Sequence, residues 1–388
     1  DLPSFHSALR ELHFPEALES SSKEEFLKAL NDFSAPAQRR FVFEEFFLFQ
    51  LSLYMARRDR ELIPKRRQIV LSSKIRDRLK SVLPFHPTAA QKKVLREILE
   101  DLCSDRVMSR LLQGDVGSGK TIVALQAMAV VIENGFQAAL MAPTELLAEQ
   151  HFRNLDNYLR ETPYRLALLS RRIKGRERKR VLIQVRSGEV DLLVGTHALI
   201  QETVAFQNLG IVVVDEQHRF GVIQRSELMM KGNLPDTLVM TATPIPRSLA
   251  MTLYGDLRVS ILDELPPGRK PVKTVVKMET SRDEVYSVLR QQISEGRQVY
   301  IVYPLIEESE KLELRSAFEM AEQLQAEVFE DVRVGLMHGR LQPDEKDKLM
   351  KQFVEGRVQV LVSTTVIEVG IDVPNATVMV IEHAERFG

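Results

Sequence analysis

A single cysteine, Cys103, stands among the 388 residues. That excludes an internal disulfide framework and a cysteine-based zinc site, and it fits a reduced compartment. No run approaches the roughly twenty apolar residues that a membrane-spanning helix needs. No secretory leader is read at the start, where the chain opens on Asp1, and no short repeat or low-complexity segment interrupts it. An excess of one charge is missing too. With 53 basic and 54 acidic residues, net charge gives no hint of nucleic-acid binding, and any basic surface must be local. His13, His86, His338 and His383 lack metal-ligand spacing and read as structural or surface residues.

What is present is concentrated. The segment Gly114-Asp115-Val116-Gly117-Ser118-Gly119-Lys120-Thr121 satisfies the phosphate-loop pattern G-x-x-x-x-G-K-[ST]. It follows the apolar Leu111-Leu112 and opens a helical run over 122–131. Glycines let backbone N–H groups close around phosphates, and the helix N-terminus adds the positive end of its dipole. Lys120 is expected to reach the β- and γ-phosphates, and the Thr121 hydroxyl to bind Mg²⁺. Strand before and helix after outweigh a chance glycine turn, so a bound nucleoside triphosphate is expected.

A chain of this length suggests two or three domains. Residues 1–83 read as helical: Ser22 to Glu25 form a capping box, and apolar residues recur at helical spacing from Ala37 to Met55. Phe43, Phe46, Phe47 and Phe49 make that second helix apolar on nearly every side, the mark of a helix buried between two partners. The region is expected to be a linker or docking element with its phenylalanines in a core.

From 84 to 265, strands over 110–113, 138–142, 166–169, 191–195, 211–214 and 238–241 alternate with helices. That rhythm implies α/β architecture with a parallel, doubly wound sheet. The Pro-rich linker from Asp263 to Pro271 breaks it. The rhythm restarts over 266–388, with strands at 274–276, 299–303, 333–337, 358–362 and 377–381 and helices at 283–295, 314–326 and 344–353.

Two strand ends carry chemistry. Ile211-Val212-Val213-Val214 delivers Asp215 and Glu216 at the carboxyl edge, where doubly wound sheets bind ligands. Asp215 is expected to hold Mg²⁺ with Thr121, and Glu216 to orient and polarise the attacking water, with His218 following. Thr241-Ala242-Thr243-Pro244-Ile245-Pro246-Arg247 ends another strand. The hydroxyls of Thr241 and Thr243 can bond His218 or Glu216 and so couple to the γ-phosphate; a capped turn is the equal alternative.

Together with Ala142-Pro143-Thr144-Glu145, Gly195-Thr196-His197 and Gly370-Ile371-Asp372, these motifs resemble those of superfamily 2 helicases. More narrowly, the strings from Asp215 to Val222 and from Leu265 to Pro271 resemble the bacterial RecG family of ATP-dependent DNA helicases. The resemblance runs from about Phe41 to Gly388 and implies two RecA-like P-loop motor domains, 84–265 and a C-terminally incomplete 266–388, preceded by the helical linker.

It implies further roles, residue by residue. Phe85, Thr88 and Gln91 match an adenine-reading segment. Thr144, Glu145, Thr196 and His197 in the first motor domain, and Ser363, Thr364 and Thr365 in the second, match segments that face nucleic acid. Gly370 and Asp372 match positions near the nucleotide. The implied reaction is Mg²⁺-dependent ATP hydrolysis that remodels branched double-stranded DNA such as forks and Holliday junctions. The implied setting is a monomer in the bacterial cytoplasm, associated with the nucleoid, with single-stranded-DNA-binding protein as a partner.

Departures accompany the resemblance. The family's N-terminal wedge domain and its last helicase motif, which holds an arginine finger, are not read in this chain. Leu169-Ser170-Arg171-Arg172 replaces a Leu-Thr-Gly-Ser-like turn. Seven of the ten residues from Arg171 to Arg180 are basic, and solvated face and phosphate contact are equal readings of that run. A translocase recruited to stalled RNA polymerase, and a binding module in which ATP closes a cleft without turnover, stay open as alternatives.

Overall fold

Two parallel sheets organise the chain in a computed structural model that describes residues 2–14, 28–61, 64–82, 86–216, 234–243, 257–264, 272–303, 318–364 and 373–386. Ahead of them come helices α1 (Phe5–His13), α2 (Pro36–Glu61), α3 (Ser73–Val82) and α4 (Ala89–Leu102). The first sheet has the order β3-β4-β2-β5-β6-β1-β7. Its strands are β1 (Ser109–Gly114), β2 (Gln137–Met141), β3 (Leu166–Leu169), β4 (Leu192–Gly195), β5 (Leu209–Val214), β6 (Asp236–Thr241) and β7 (Arg258–Leu262). Helices α5 (Lys120–Glu133), α6 (Glu145–Leu159) and α7 (Gly175–Arg186) connect them. The chain divides into two compact units, Asp1–Ala139 with Ala205–Leu265, and Leu140–Val204 with Pro266–Gly388.

Burial makes most of these strands legible in sequence. Strands β2, β4, β5 and β6 are buried along their whole length. A strand covered on both faces is a continuous run of apolar or β-branched residues, the easiest strand to read. Helix α5 is nearly as closed, buried at every position from Ile122 to Val131. Strand β7 escapes such a reading because it lies at the sheet edge, opens on Arg258 and buries only Ser260 and Leu262.

The smaller sheet has the order β11-β8-β10-β9, from β8 (Gln298–Val302), β9 (Val334–Met337), β10 (Val360–Ser363) and β11 (Ala376–Ile381), again in parallel. Helices α8 (Arg282–Ser294) and α9 (Pro343–Val354) belong to it. Leu289, Val299, Ile301, Phe329, Val360 and Val362 form one core cluster. Met337, Met350, Phe353 and Leu361 belong to another, with Phe353 edge-on to Tyr300.

Two expectations are corrected. Residues 274–276 form no strand; Val275 and Val276 are 58% and 88% exposed. β-Branched residues favour strands only where a ladder and a packed face receive them. Helix α2 packs on α1 through the rings of Phe41 and Phe5, yet Phe43, Phe46, Phe47 and Phe49 are exposed rather than in a core. Apolarity on every side calls for two packing partners, and α1 covers one side. The capping box at 22–25 lies outside the described residues.

A buried charge cluster ties residues 64–67 to the first sheet. Asp236, fully buried at the start of β6, accepts from the Met108 amide, Lys65 Nζ (2.9 Å) and the Arg67 guanidinium. Burial lowers the pKa of Lys65, and Asp236 opposes that shift. Removing the shared carboxylate strands two buried cations, so Asp236→Ala should cost about 3–5 kcal/mol of stability. Denaturant unfolding of the two proteins measures it; a loss under about 1 kcal/mol would show that water already solvates the cluster.

Candidate nucleotide and nucleic-acid sites

Parallel pairing brings three strand ends to one edge of the first sheet. β6 lies between β5 and β1, with Val214 level with Val239 and Gln113 level with Thr241. The phosphate loop leaves β1, the Asp215-Glu216 pair leaves β5 and Thr241 ends β6. Segments separated by a hundred residues thus share the carboxyl edge, where the backbone turns outward and ligands bind.

The loop is shaped by close approach. A Cβ on Gly114 would lie 2.6 Å from Ser118 Oγ and 2.9 Å from Leu262 Cβ. Gly119 has φ +94°, and a Cβ there would lie 2.2 Å from Gln91 Nε2. Lys120 begins α5 and is nearly buried; its Nζ donates to the carbonyls of Gly114 (2.7 Å) and Asp115 (3.0 Å). The ammonium is therefore already directed across its own loop. Ser118 is buried beside it, Thr121 lies in the first turn of α5, and Asp115, Val116 and Gly117 are exposed.

Asp215 and Glu216 are 8% and 3% exposed, and the Glu216 amide donates to Asp215 Oδ1 at 3.1 Å. Glu216 has φ +50°, a left-handed conformation that costs a residue other than glycine on the order of 1–3 kcal/mol. Strain at a buried carboxylate is a feature that the sequence did not announce. Thr241 Oγ1 and Thr243 Oγ1 are 2.8 Å apart, and Thr241 Oγ1 also accepts from the Thr243 amide. A hydroxyl and a buried carboxylate are the hard oxygen donors that Mg²⁺ prefers. Among the described residues no group of three or more His, Cys, Asp or Glu forms a metal cage, so water and phosphate would complete the shell of such an ion.

Gln91 closes the site from α4. Thr88 caps this helix: its Oγ1 accepts from the Gln91 amide, and Gln91 Oε1 accepts from the Thr88 amide. Gln91 Nε2 also donates to the Ser118 carbonyl at 2.9 Å. One amide plane thus bonds both its own helix cap and the phosphate loop.

A second cluster lies in the other unit. Thr144 caps α6, accepting from the Leu147 amide. Glu145 Oε1 accepts from Thr196 Oγ1 (3.0 Å), and Oε2 accepts from the Arg171 amide (3.1 Å). Arg171 Nη2 is 2.8 Å from His197 Nε2. Burial, and then the Arg171 guanidinium, lower the His197 pKa against an opposing pull from Glu145. The ring is neutral near pH 7 and accepts at Nε2. The Arg-Arg turn that departs from the family pattern is therefore joined to two of the residues singled out for nucleic acid, Glu145 and His197, and through Glu145 to Thr196. Arg172 is engaged otherwise, donating to Glu149 at 2.5 Å.

Ser363 ends β10, Thr364 follows it, and both are buried; Ser363 Oγ donates to the Thr364 carbonyl, and the Thr364 amide to that of Met337. Phe85, His218, Thr365, Gly370 and Asp372, with residues 244–247, lie outside the described residues.

Two family models match the chain: DEAD/DEAH box helicase over residues 88–252 and Helicase conserved C-terminal domain over 280–386. The ATP-dependent DNA helicase RecG of Synechocystis is 48% identical over all of this chain and 45% of its own length. RecG of Thermotoga maritima is 51% identical over 91% of the chain and 45% of its own length. A solved structure of RecG bound to a three-way DNA junction superposes with a TM-score of 0.81 at 48% identity, over 91% of this chain and 46% of that one. The chain spans about half the length of the curated relatives it matches.

Proposed function

The chain belongs to the RecG family of ATP-dependent DNA helicases, and from that premise we propose that it is a motor that hydrolyses ATP to remodel branched double-stranded DNA at stalled forks and junctions. In this reading the RecA-like motor domains span residues 84–265 and 266–388, and residues 1–83 form a helical linker or docking region. The observation that carries this reading is the convergence of Gln91, Lys120, Thr121, Asp215, Glu216 and Thr241 at one sheet edge.

In this reading Lys120 neutralises the β- and γ-phosphates, Thr121 and Asp215 hold Mg²⁺, and Glu216 orients the water. An Mg²⁺ ion held by Thr121 and Asp215 would supply positive charge against the charge developing on the phosphates. Thr241 and Thr243 couple the γ-phosphate to the rest of the motor. Phe85, His218, Gly370 and Asp372 complete the nucleotide site. Gln91 retains one lone pair and one amide hydrogen beyond its protein bonds. Adenine offers the matching edge, a donor at N6 and an acceptor at N7, whereas guanine offers two acceptors. ATP is therefore the favoured nucleotide.

DNA backbone is contacted by the cluster of Thr144, Glu145, Thr196 and His197, and by Ser363, Thr364 and Thr365. No helix among the described residues is long and apolar enough to cross a membrane; the protein acts in the cytoplasm as a monomer, near the nucleoid and single-stranded-DNA-binding protein. Phosphate release from the full-length protein, with no DNA, linear duplex or a fork, tests the reading. Stimulation should be greatest on the fork; turnover unmoved by DNA would overturn the motor reading, and no turnover in any of the three would leave a nucleotide-gated binding module.

Fork affinity should fall linearly in a plot of log affinity against log salt, and be nearly indifferent to sequence. Neutralising Arg171, Arg172 and Lys174 together should reduce that slope by about two, roughly 0.9 for each phosphate that is no longer neutralised. Arg172 contributes little because Glu149 holds it. An unchanged slope assigns the run to a solvated face.

A further inference from the structure

Gln91 is held from one side by the phosphate loop and from the other by its helix, so whatever fixes the first turn of α4 fixes the base-reading amide. The first backbone N–H groups of a helix have no partner within it. In α4, Gln91 Oε1 accepts from Thr88, Thr88 Oγ1 accepts from Gln91, and the Ala90 amide donates to Glu264 Oε2 at 3.0 Å. That acceptor comes from 174 residues along the chain. It sits just past β7, whose last residue Leu262 pairs with Gly114 and presses against that glycine. The exit of β7 therefore touches the nucleotide site twice: Leu262 at the start of the phosphate loop, and Glu264 at the cap that carries Gln91. Glu264 is exposed and immediately precedes the Pro-rich segment at 265–271.

We propose that Glu264 is a positioning residue for nucleotide selection, setting the orientation of Gln91 through the first turn of α4. The proposal rests on the reading of Gln91 as the group that recognises adenine. Gln91 presents its remaining lone pair and hydrogen in one plane, and a bidentate match to a base edge is lost when that plane rotates. Thr88 and Ser118 hold the two ends of the amide, and Glu264 holds the backbone from which the side chain springs. A carboxylate also favours the positive end of the helix dipole at that site. An ordinary helix cap would stabilise α4 without affecting which base is bound, and that difference makes the two roles separable.

The test compares Glu264→Ala, Glu264→Gln, Gln91→Ala and the double alanine variant in the full-length protein. Fork-stimulated kcat and KM are measured for ATP and for GTP, with thermal midpoints alongside. Glu264→Ala should raise the KM for ATP about three- to tenfold, the effect of one lost hydrogen bond, and move that for GTP less than about twofold. Glu264→Gln keeps an acceptor oxygen and should restore the ATP KM to within about twofold of the parent. The double variant should match Gln91→Ala, because the two residues act in series. Equal rises for ATP and GTP, or multiplied effects in the double variant, would overturn the proposal and leave Glu264 a simple cap. A Gln91→Ala variant with undiminished preference for ATP would instead remove the premise, and the proposal with it.

Discussion

Lys120→Ala should bring DNA-stimulated ATP turnover down by a factor of about 10²–10³ or more, the scale of losing one preorganised electrostatic donor. The lysine is nearly buried, and its ammonium spans two carbonyls of the loop that would enclose the phosphates. A charge fixed there before substrate arrives costs no reorganisation when negative charge shifts onto the β–γ bridge. Alanine removes the charge and leaves the fold, since it is the strongest helix former and the position begins a helix that is otherwise closed in core. Affinity for Mg²⁺-ATP should weaken as well, because part of that attraction exists in the ground state. Phosphate release and nucleotide binding by the full-length variant, with circular dichroism to confirm folding, check the prediction. Unchanged turnover would sink the phosphate-loop assignment.

What the sequence disclosed, and what it withheld, divides along the range of the interactions. The phosphate loop is local: its glycines, lysine and threonine are consecutive, and the turn they make depends on their own backbone freedom. The buried parallel strands are local in the same sense, since closure on both faces writes an apolar run into each. The partnerships are not local. Asp236 meets Arg67 across 169 residues, Glu145 meets Thr196 across 51, and Arg171 meets His197 across 26. The tertiary fold brings them together, the order of parallel strands for the last two pairs and the docking of residues 64–67 for the first, and no short window contains it. Arg171 illustrates the difference: in sequence it is a departure from a family turn within a basic run, whereas the structure joins it to His197 and Glu145. One signal for Glu264 was available, an acid just before a proline-rich linker, but β7 itself escaped the sequence and nothing local pointed the side chain at α4.

The two motifs at 274–276 and in α2 failed for a related reason. Both readings took composition as burial. Among the described residues, Val275 and Val276 have strand propensity and no ladder, and the phenylalanines of α2 have apolar area while α1 covers one side of their helix. Propensity and apolarity state what a segment can do once a partner is present. The partner itself is a property of the tertiary fold.

Glu216→Gln tests the other half of the nucleotide site, and its expected signature differs from that of Lys120→Ala. Glutamine has the size of glutamate and keeps a carbonyl oxygen, so the left-handed turn at φ +50° and the packing of a residue only 3% exposed are preserved. What disappears is the negative charge proposed to polarise the attacking water. Turnover should fall about 10²–10⁴-fold, the usual contribution of a positioned general base. Nucleotide and DNA binding should stay near parental values, because Lys120, Thr121 and Asp215 are untouched. The ATP-bound state then becomes the resting state, and complexes with uncleaved ATP should accumulate on forked DNA. Single-turnover quenching that separates ATP from ADP on the protein, with an equilibrium titration of nucleotide, measures both arms. Nucleotide binding lost as severely as in Lys120→Ala would mean that the carboxylates have exchanged roles, with Glu216 on the metal and Asp215 on the water. Asp215 lies at the end of a fully buried strand with one oxygen already accepting from the next amide. That rigid setting suits a metal ligand, and the strained residue after it suits a group that must meet a moving water.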